Sequence, residues 1–448
     1  MATGAVLQLL LLALVAAEVS WSADTGTGGA PLRFRREGGV LKFKVLIFSD
    51  LHYGEDAQVD ANSSAFQERL LELEAPVDLV VLNGDMSSNY AAPGFCSNAE
   101  RRTDPIVRAL CREWWRNRWR DYTAPLKRHG VPYALNVGNH DALTALDETS
   151  REQLAYDMTA NYPLSRTQLG PPNVSRASNY FLPIFLPDPA PANNAAAGFW
   201  FLDSGAESCL GSQGWGCVLP DQVAWFREQA RLRGGVPSHM FVHIPVQEAL
   251  QLWNLAVLSG GGKPNANAVS GCKADEIDCQ CVNTGLFASI SEPDLGVHAV
   301  WHGHDHNNDF FGEWEWDRPK PHTSRGPGAR GAYIGYGRKS GYGGYGGKLA
   351  NQPGARVIEL SLPLPLEALD RDTGTWRQGE VEWETWVRLE TGTLLRGHSS
   401  PSVTASEPLA RMQVVCGGVP IPSHNSTVGE VAAMGRPRSG SPDNSRLV

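Results

Sequence analysis

The sequence lacks a second long apolar run and an excess of basic residues, and each absence argues against a class of protein. The longest apolar run, residues 6–17, lies at the N-terminus and is shorter than the roughly 20 residues that a transmembrane helix needs. The net charge of −9 argues against a polyanion-binding surface, because nucleic-acid-binding proteins usually carry a basic field. We therefore expect no stable membrane span and no nucleic-acid partner.

The N-terminal segment has no lysine or arginine before its apolar run, but it otherwise follows the pattern of a secretory signal. Small residues that suit signal-peptidase cleavage come directly after the apolar run. We predict a signal peptide over residues 1–22, with an uncleaved anchor as the alternative, and a leader segment over residues 23–40. The protein is expected to be secreted or to lie in a secretory-pathway lumen, outside the cell, in the endoplasmic reticulum or in a vacuole.

The eight cysteines lack the regular second Cys/His pair of a zinc site. Disulfides are therefore preferred over a zinc site at Cys272, Cys279 and Cys281, and they fit an oxidising compartment. Sequence does not fix their connectivity. Three glycosylation sequons agree with secretion, at Asn62, Asn173 and Asn425.

Short apolar runs alternate with helical patterns along the chain, as is typical of an α/β domain. An amphipathic helix is expected over residues 66–73, with Ser63 or Ser64 as its N-cap. Residues 108–122 are basic and aromatic, which could indicate nucleic-acid contact. Helical spacing favours a core helix instead, because five apolar residues share one face: Cys111, Trp115, Trp119, Tyr122 and Leu126.

Five of the apolar runs end in clusters of Asp, Asn and His. The clusters follow residues 43–48, 78–82, 133–137, 240–242 and 296–300. Ligands collect at the carboxyl ends of strands in α/β sheets, so the clusters can converge in the fold. The last of them, WHGHDHNND at 301–309, could alone be a turn, a zinc site or part of a larger site. Together the five clusters supply suitable ligands for two cations about 3.5–4 Å apart, the kind of site that hydrolyses phosphate esters.

In order along the chain, the motifs D-x-H, G-D, G-N-H-D, H and G-H-x-H resemble the calcineurin-like metallophosphoesterases. Residues 243–248, 303–310 and 335–346 are similar to the short, purple-acid-phosphatase-like branch of that family in plants, algae and fungi. The resemblance covers about residues 43–389. It implies an α/β (α+β) fold, a four-layer αββα sandwich of two mixed sheets flanked by helices. We place this domain at residues 41–392 and a low-complexity tail at 393–448.

The resemblance also implies a centre of two divalent or trivalent metal ions, which could be iron, manganese or zinc. Asp50, His52 and His306 would bind the first ion, and Asp85 would bridge to the second. The second ion would be completed by Asn139, His243 and His304.

The implied catalytic residues are His140, which would stabilise the transition state or protonate the leaving oxygen, and Asp141, which would orient it. The Gly/Tyr run at 335–347 could be a flexible linker. Its position after the last motif favours a rim loop, with Arg338 and Lys339 as candidate phosphate contacts.

One position departs from the purple enzymes of this family. They carry a metal-bound tyrosine three residues after the bridging aspartate, where this sequence has Ser88. His52 takes the place of that ligand, and Tyr90 is expected to miss the site. We therefore predict no tyrosinate-to-iron colour; an intense visible absorption band in the iron-loaded protein would contradict this.

The predicted function is binuclear-metal-dependent hydrolysis of phosphate esters. The resemblance favours a phosphomonoesterase, with a phosphorylated small molecule or phosphoprotein as substrate, over a phosphodiesterase. A secreted metal- or ligand-binding protein with the same fold and no turnover is the alternative. A structural zinc protein is less favoured, because Asp and Asn ligands suit harder ions and open sites.

Overall fold

The structure, a computed structural model, describes most of the chain between residues 29 and 396. The described ranges are 29–101, 103–142, 149–161, 163–188, 195–265, 269–314, 332–363 and 381–396. The predicted signal peptide, almost all of the predicted tail and the sequon at Asn425 lie outside them.

The elements are numbered in chain order. The strands are β1 (Arg35–Glu37), β2 (Val40–Phe48), β3 (Leu79–Asn83), β4 (Tyr133–Asn136), β5 (Tyr180–Ile184), β6 (Ala197–Leu202), β7 (Glu207–Cys209), β8 (Ser212–Trp215), β9 (Ser238–Val242), β10 (Val269–Ser270), β11 (Val297–His302), β12 (Phe311–Trp314), β13 (Ala332–Tyr336), β14 (Gly354–Pro363), β15 (Glu382–Leu389) and β16 (Leu394–Leu395). The α-helices are α1 (Ala57–Leu73), α2 (Pro105–His129), α3 (Thr149–Ala160), α4 (Pro220–Leu232), α5 (Gln247–Ser259) and α6 (Leu286–Ile290).

The strands form two mixed sheets and one small hairpin. In the first sheet the order is β16-β15-β14-β2-β3-β4, with β1 also paired to β2. In the second sheet the order is β10-β12-β13-β11-β9-β6-β5. The parallel pairs are β2 with β3, β3 with β4, β6 with β9, β9 with β11 and β11 with β13. The edge strands pair antiparallel with their neighbours, except β4, which is parallel to β3, and β7 with β8 makes the separate hairpin.

The two sheets pack face to face, and helices cover their outer faces. Along β2, Phe43 and Val45 point into the core between the sheets, whereas Leu46 and Phe48 pack towards α1 and α2. This alternation follows from the two-residue period of a strand. On the other side, α4, α5 and α6 pack against the second sheet. The predicted four-layer sandwich of two mixed sheets is therefore confirmed.

The helix predicted from the tryptophan spacing is confirmed, and it is longer than predicted. Helix α2 runs from Pro105 to His129 and buries all five residues of the predicted apolar face in the core: Cys111, Trp115, Trp119, Tyr122 and Leu126. The nucleic-acid alternative for this stretch is not needed, because its aromatic rings lie in the core.

The predicted N-cap of the first helix is wrong. Helix α1 begins at Ala57, and the side chain of Asp56 accepts hydrogen bonds from the backbone N–H groups of Gln58 (2.8 Å) and Val59 (3.1 Å). Ser63 and Ser64 lie inside the helix. The first turns of α1 are largely exposed, so apolar periodicity does not mark where the helix starts.

Two disulfides join pairs of described cysteines, Cys96–Cys111 and Cys209–Cys217. Of the three cysteines for which disulfides were preferred over zinc, Cys279 is disulfide-bonded, as expected, whereas Cys281 is a free thiol. The groups of described side chains that could hold a metal ion contain no cysteine. None of the helices in the described part of the chain is both long and apolar enough to cross a membrane.

Candidate metal centre

Five loops bring the predicted ligands together at the carboxyl ends of the parallel strands. The loops after β2, β3 and β4 come from the first sheet, and those after β9 and β11 come from the second. The backbone N–H of Asp50 donates to Gly84 O (3.0 Å), and that of His304 donates to Asp50 Oδ1 (3.0 Å) across the two sheets. All seven predicted metal ligands are buried: Asp50, His52, Asp85, Asn139, His243, His304 and His306.

Four of these ligands have a left-handed backbone. The φ angles are 59° at Asp50, 51° at His52, 55° at Asp85 and 74° at His304. Side chains other than glycine rarely adopt this region, and each such residue costs about 1–3 kcal/mol unless its surroundings enforce it. The chain therefore keeps a strained backbone at the residues that carry the site.

Glycines allow the loops to approach one another. A Cβ atom on Gly84 would lie 2.3 Å from His243 Nδ1, and one on Gly138 would lie 2.2 Å from the backbone nitrogen of Asp85. No side chain fits at either position without moving a predicted ligand. This explains the glycine in the G-D and G-N-H-D motifs.

The ligand atoms fall into two groups that meet at Asp85. One group consists of Asp50, His52 and His306, and the other of Asp85, His243 and His304, each with its ligand atoms within 4.8 Å of one another. Asp85 Oδ2 lies 3.1 Å from His243 Nε2 and 3.8 Å from His52 Nε2, so one carboxylate oxygen faces both groups.

Asn139 belongs to the second group. Its Oδ1 lies 3.1 Å from His243 Nε2 and 2.9 Å from His304 Nδ1. The structure thus brings all seven predicted metal ligands together, and the assignment of each to one of two ions stays a prediction.

The donor set fits metal cations. The Nδ1 atom of His243 lies 2.9 Å from the backbone oxygen of Asn83, and a carbonyl can only accept, so Nδ1 carries the proton. In the neutral ring, Nε2 then presents a lone pair towards oxygens of Asp85 and Asn139. His306 has the same arrangement, because its Nδ1 lies 2.9 Å from the carbonyl of Tyr345. Lone pairs that face each other in this way are stabilised by a cation between them.

The two carboxylates have opposite pKa shifts. Burial raises the pKa of Asp50 to about 7. Burial also acts to raise the pKa of Asp85, but His243, His140 and His52 outweigh it and hold that pKa well below its usual value. His243 responds in the other direction: burial acts to lower its pKa, yet Asp85 and Asp50 raise it to about 10.

The expected pairing of Asp141 with His140 is wrong. The carboxylate of Asp141 accepts hydrogen bonds from the backbone N–H groups of Gly138 (2.9 Å), Asp85 (2.9 Å) and Met86 (2.9 Å). It is turned towards the loop after β3, so it cannot orient His140. Instead, Asn89 Oδ1 lies 2.8 Å from His140 Nδ1.

His140 itself stands beside the centre. Its backbone N–H donates to Asp85 Oδ1 (2.7 Å), and its ring centroid lies 5.2 Å from that of His52. Asn89 was missed because it lies in no motif, 51 residues before the histidine that it contacts.

The predicted phosphate contact at Arg338 is also wrong. Its guanidinium is buried, forms an ion pair with Asp309 (2.6 Å), and donates to the backbone oxygens of Leu349 (3.0 Å) and Gln352 (2.8 Å). Lys339 is buried as well and donates to the backbone oxygen of Asp50. Both cations are therefore bound to oxygen atoms of the protein itself.

The rim position of the Gly/Tyr run is confirmed. The ring of Tyr345 stacks on that of His306, with centroids 3.8 Å apart and planes 6° apart. A Cβ atom on Gly344 would lie 2.5 Å from His306 Cε1 and 2.9 Å from His52 Cδ2. This loop therefore packs directly on two histidines of the first group.

On the opposite side, Trp215 contacts the second group. Its ring lies edge to face against His304, with centroids 4.4 Å apart. Asp278 and Asp305 also have ligand atoms within 4.8 Å of His304, although Asp305 had no predicted metal role. Tyr336 donates to the Asp305 carboxylate (2.6 Å), so this side chain supports the loop after β11. No motif in the sequence indicated the contact of Trp215.

A family model described as calcineurin-like phosphoesterase matches residues 43–308, more than half of the chain. The chain belongs to this family. The match spans the loops after β2, β3, β4, β9 and β11, which carry all seven predicted ligands of the calcineurin-like phosphoesterase centre.

Relatives of this calcineurin-like phosphoesterase bear the name of purple acid phosphatases. The chain is 25% identical to "Probable inactive purple acid phosphatase 28" of Arabidopsis thaliana, over 80% of this chain and 83% of the relative. It is also 25% identical to "Probable inactive purple acid phosphatase 29" of the same plant, over 80% and 84%.

Among solved structures, this calcineurin-like phosphoesterase is similar to a dimetal phosphatase from Danio rerio. The identity is 14%, the TM-score is 0.41, and the match covers 77% of this chain and 98% of the other. A purple acid phosphatase from yellow lupin (Lupinus luteus) seeds is similar at 12% identity and a TM-score of 0.39, over 77% of this chain and 53% of the other.

Proposed function

We propose that this protein hydrolyses phosphate esters at a centre of two metal ions, and that phosphomonoesters of small molecules or proteins are its substrates. The observation that carries the proposal is the position of Asp85, whose Oδ2 faces ligands of both groups. A shared carboxylate fixes the separation of two ions and offsets their repulsion. Such a pair supplies a nucleophilic water and binding positions for phosphate oxygens. Iron, manganese and zinc all suit this donor set.

The protein's own residues orient the reacting groups. Asp85 accepts the backbone N–H of His140 through Oδ1, which places the imidazole beside the centre. Asn89 occupies Nδ1 of that ring, so Nε2 is the nitrogen left to stabilise charge on the phosphoryl group or to protonate the leaving oxygen. Asp141 holds the backbone of the loop that presents Asp85.

A second candidate is a metal-binding protein with this fold and no turnover. It is favoured by the word "inactive" in the names of the Arabidopsis thaliana relatives. The retained His140, its partner Asn89 and the complete ligand set favour the hydrolase. Phosphodiester hydrolysis is the remaining alternative, because the same centre can serve either ester.

We also propose that the protein is secreted or lies in a secretory-pathway lumen and carries glycans. Two disulfides support an oxidising compartment. The sequon residues Asn62 and Asn173 are exposed, as an attachment site requires.

Metal analysis combined with turnover of aryl phosphate mono- and diesters tests the proposal. The wild-type protein should bind two metal ions per chain and hydrolyse the monoester faster. Asp85→Ala should lose metal and activity together. His140→Ala should keep both ions and lose about 100- to 10,000-fold in kcat, as is typical for a general acid. Two bound ions without turnover of either ester would favour the binding protein, and less than one ion per chain would refute the metal centre.

A further inference from the structure

A chain of side-chain hydrogen bonds runs from His52 through Ser88 to Glu55. The hydroxyl of Ser88 lies 3.0 Å from His52 Nδ1 and donates to Glu55 Oε1 at 2.6 Å. Ser88 is fully buried. The same Glu55 oxygen accepts the backbone N–H of Gly344 (2.9 Å) and the hydroxyl of Tyr90. Glu55 thus joins three loops at the edge of the first ligand group.

The direction of these hydrogen bonds decides which nitrogen of His52 carries the proton. An ionised carboxylate can only accept hydrogen bonds, so Ser88 donates its single hydroxyl proton to Glu55. The oxygen of Ser88 must then accept from Nδ1–H of His52. Nε2 is left with its lone pair, and it faces His306 Nε2 (3.1 Å) and Asp85 Oδ2 (3.8 Å), where the first metal is predicted.

His52 differs in this respect from two other histidines of the centre. The Nδ1 atoms of His243 and His306 lie 2.9 Å from backbone carbonyls, which accept and never donate. Their tautomers are fixed by the main chain. A serine hydroxyl can turn and donate instead, and it would then select the tautomer of His52 with the proton on Nε2. The Glu55 carboxylate on the other side of the hydroxyl prevents this by accepting its proton.

We propose that Glu55 is a positioning residue that acts through Ser88 to hold His52 in the tautomer that presents Nε2 to the first metal ion. Glu55 takes no part in the reaction itself. The inference rests on the proposed metal centre, and it concerns metal affinity rather than turnover.

Stepwise zinc affinity of the full-length protein, measured by competition with a chromophoric chelator, tests the inference. Glu55→Ala removes the acceptor and should weaken one of the two binding steps by about 10- to 100-fold, the usual effect of losing a partner behind a metal-bound histidine. Glu55→Gln retains an oxygen acceptor and should restore most of that affinity. Ser88→Ala should weaken the same step as Glu55→Ala.

Tyr90→Phe is the matched control. It removes another hydrogen bond to the same oxygen of Glu55 and the interaction of the phenol with the Ser88 hydroxyl. It keeps both the Glu55 acceptor and the contact between Ser88 and His52, so both zinc affinities should stay at the wild-type value. Nitrogen-15 shifts of labelled histidine should show one ring changing its protonated nitrogen in Glu55→Ala without metal, and none in Tyr90→Phe. Thermal unfolding of the metal-free variants checks that each one folds.

Wild-type affinity of Glu55→Ala for both ions would overturn the inference. So would equal losses in Glu55→Gln and Glu55→Ala, or an equal loss in Tyr90→Phe. Turnover of the wild type, measured in parallel, separates this from the proposed function: two tightly bound ions without hydrolysis would refute the hydrolase, and the variant affinities would still decide on Glu55. A wild type that binds less than one ion would overturn both.

Discussion

His140 and the bridging Asp85 are supported by different side chains. Asn89 contacts Nδ1 of the His140 ring, whereas the carboxylate of Asp141 accepts the backbone N–H groups of Asp85, Met86 and Gly138. The first contact orients an imidazole, and the second shapes the loop of a predicted ligand. Substitutions at the two positions should therefore have different consequences.

Asn89→Ala is expected to lower kcat about 10- to 100-fold while two metal ions stay bound, because a misplaced catalytic group costs rate without loss of the ligands. Asn89→Asp retains an oxygen for Nδ1–H and is the matched control. Asp141→Asn should lower metal content instead, since its amide replaces one of the two accepting oxygens with a donor. Equal metal loss in Asn89→Ala and Asp141→Asn would contradict this division.

Metal binding is expected to release a proton at neutral pH. The pKa of His243 in the metal-free protein is about 10, raised by Asp85 and Asp50 against the effect of burial, so the ring is protonated at pH 7. A metal ligand must lose that proton, and proton competition weakens as pH rises towards the pKa. Metal affinity should therefore rise about tenfold per pH unit between about pH 7 and 9.

Titration calorimetry in buffers of different ionisation enthalpy measures this proton release. His243→Ala should remove the pH dependence along with much of the affinity. An affinity that is constant over this pH range in the wild type would contradict the prediction.

The sequence revealed the predicted metal ligands but not the side chains that support them. Each ligand follows an apolar strand in a short motif, so its type and position are visible locally. Glu55 lies 33 residues from Ser88, and such a pair is defined only by the fold. Arg338 was misassigned because a basic residue in a glycine-rich loop does not reveal which side of the backbone its side chain occupies.

Among the elements, the loop between β13 and β14 packs closely on the first ligand group. We expect Gly344→Ala to weaken binding of the first metal, because its Cβ would lie within 3 Å of atoms of His306 and His52. The left-handed φ of 74° adds a strain of about 1–3 kcal/mol. Gly346→Ala is the control in the same loop, since its Cβ would approach only Asn351, at 3.1 Å. Equal metal affinities of the two variants would contradict the prediction.

For five strands and two helices, the sequence predicted the existence of the element better than its ends. Strands β2, β3, β4, β9 and β11 lie within two residues of the predicted apolar runs or extend them by up to three. Helix α1 starts nine residues earlier than the predicted residue 66, because its first turns carry polar residues without periodicity.

For the whole molecule, the centre joins two sheets that are also held together by apolar packing and by buried hydrogen bonds such as that of Asn136 Nδ2 to Phe241 O (3.3 Å). Three of the ligand-bearing loops belong to the first sheet and two to the second. Chelation should therefore lower the thermal unfolding temperature. A ligand bound only by the folded state contributes about 2.7 kcal/mol when its concentration is 100 times its dissociation constant. Asp85→Ala should not respond to chelator, and an equal unfolding temperature of wild-type protein with and without metal would contradict the prediction.

The order of strands in the sheets could not be predicted from the sequence. In the first sheet β14 lies between β15 and β2, with Ile358 opposite Val45. Apolar runs define strands, but their partners across some 300 residues depend on how both faces of each sheet are covered. The four-layer arrangement came from the family resemblance and not from the pattern of runs.

The disulfide between Cys96 and Cys111 ties α2 to residues 85–96, the segment that carries Asn89. One end of this segment is fastened to Asp141 through the backbone of Asp85, and the other is covalently joined to α2. Reduction of this disulfide should therefore loosen Asn89, which lies only a few residues away and contacts His140. Protein made in a reducing cytosol should still bind its metal ions, but His140 should be held less firmly. Weak turnover of such protein would then reflect the missing disulfide and not an inactive metal centre.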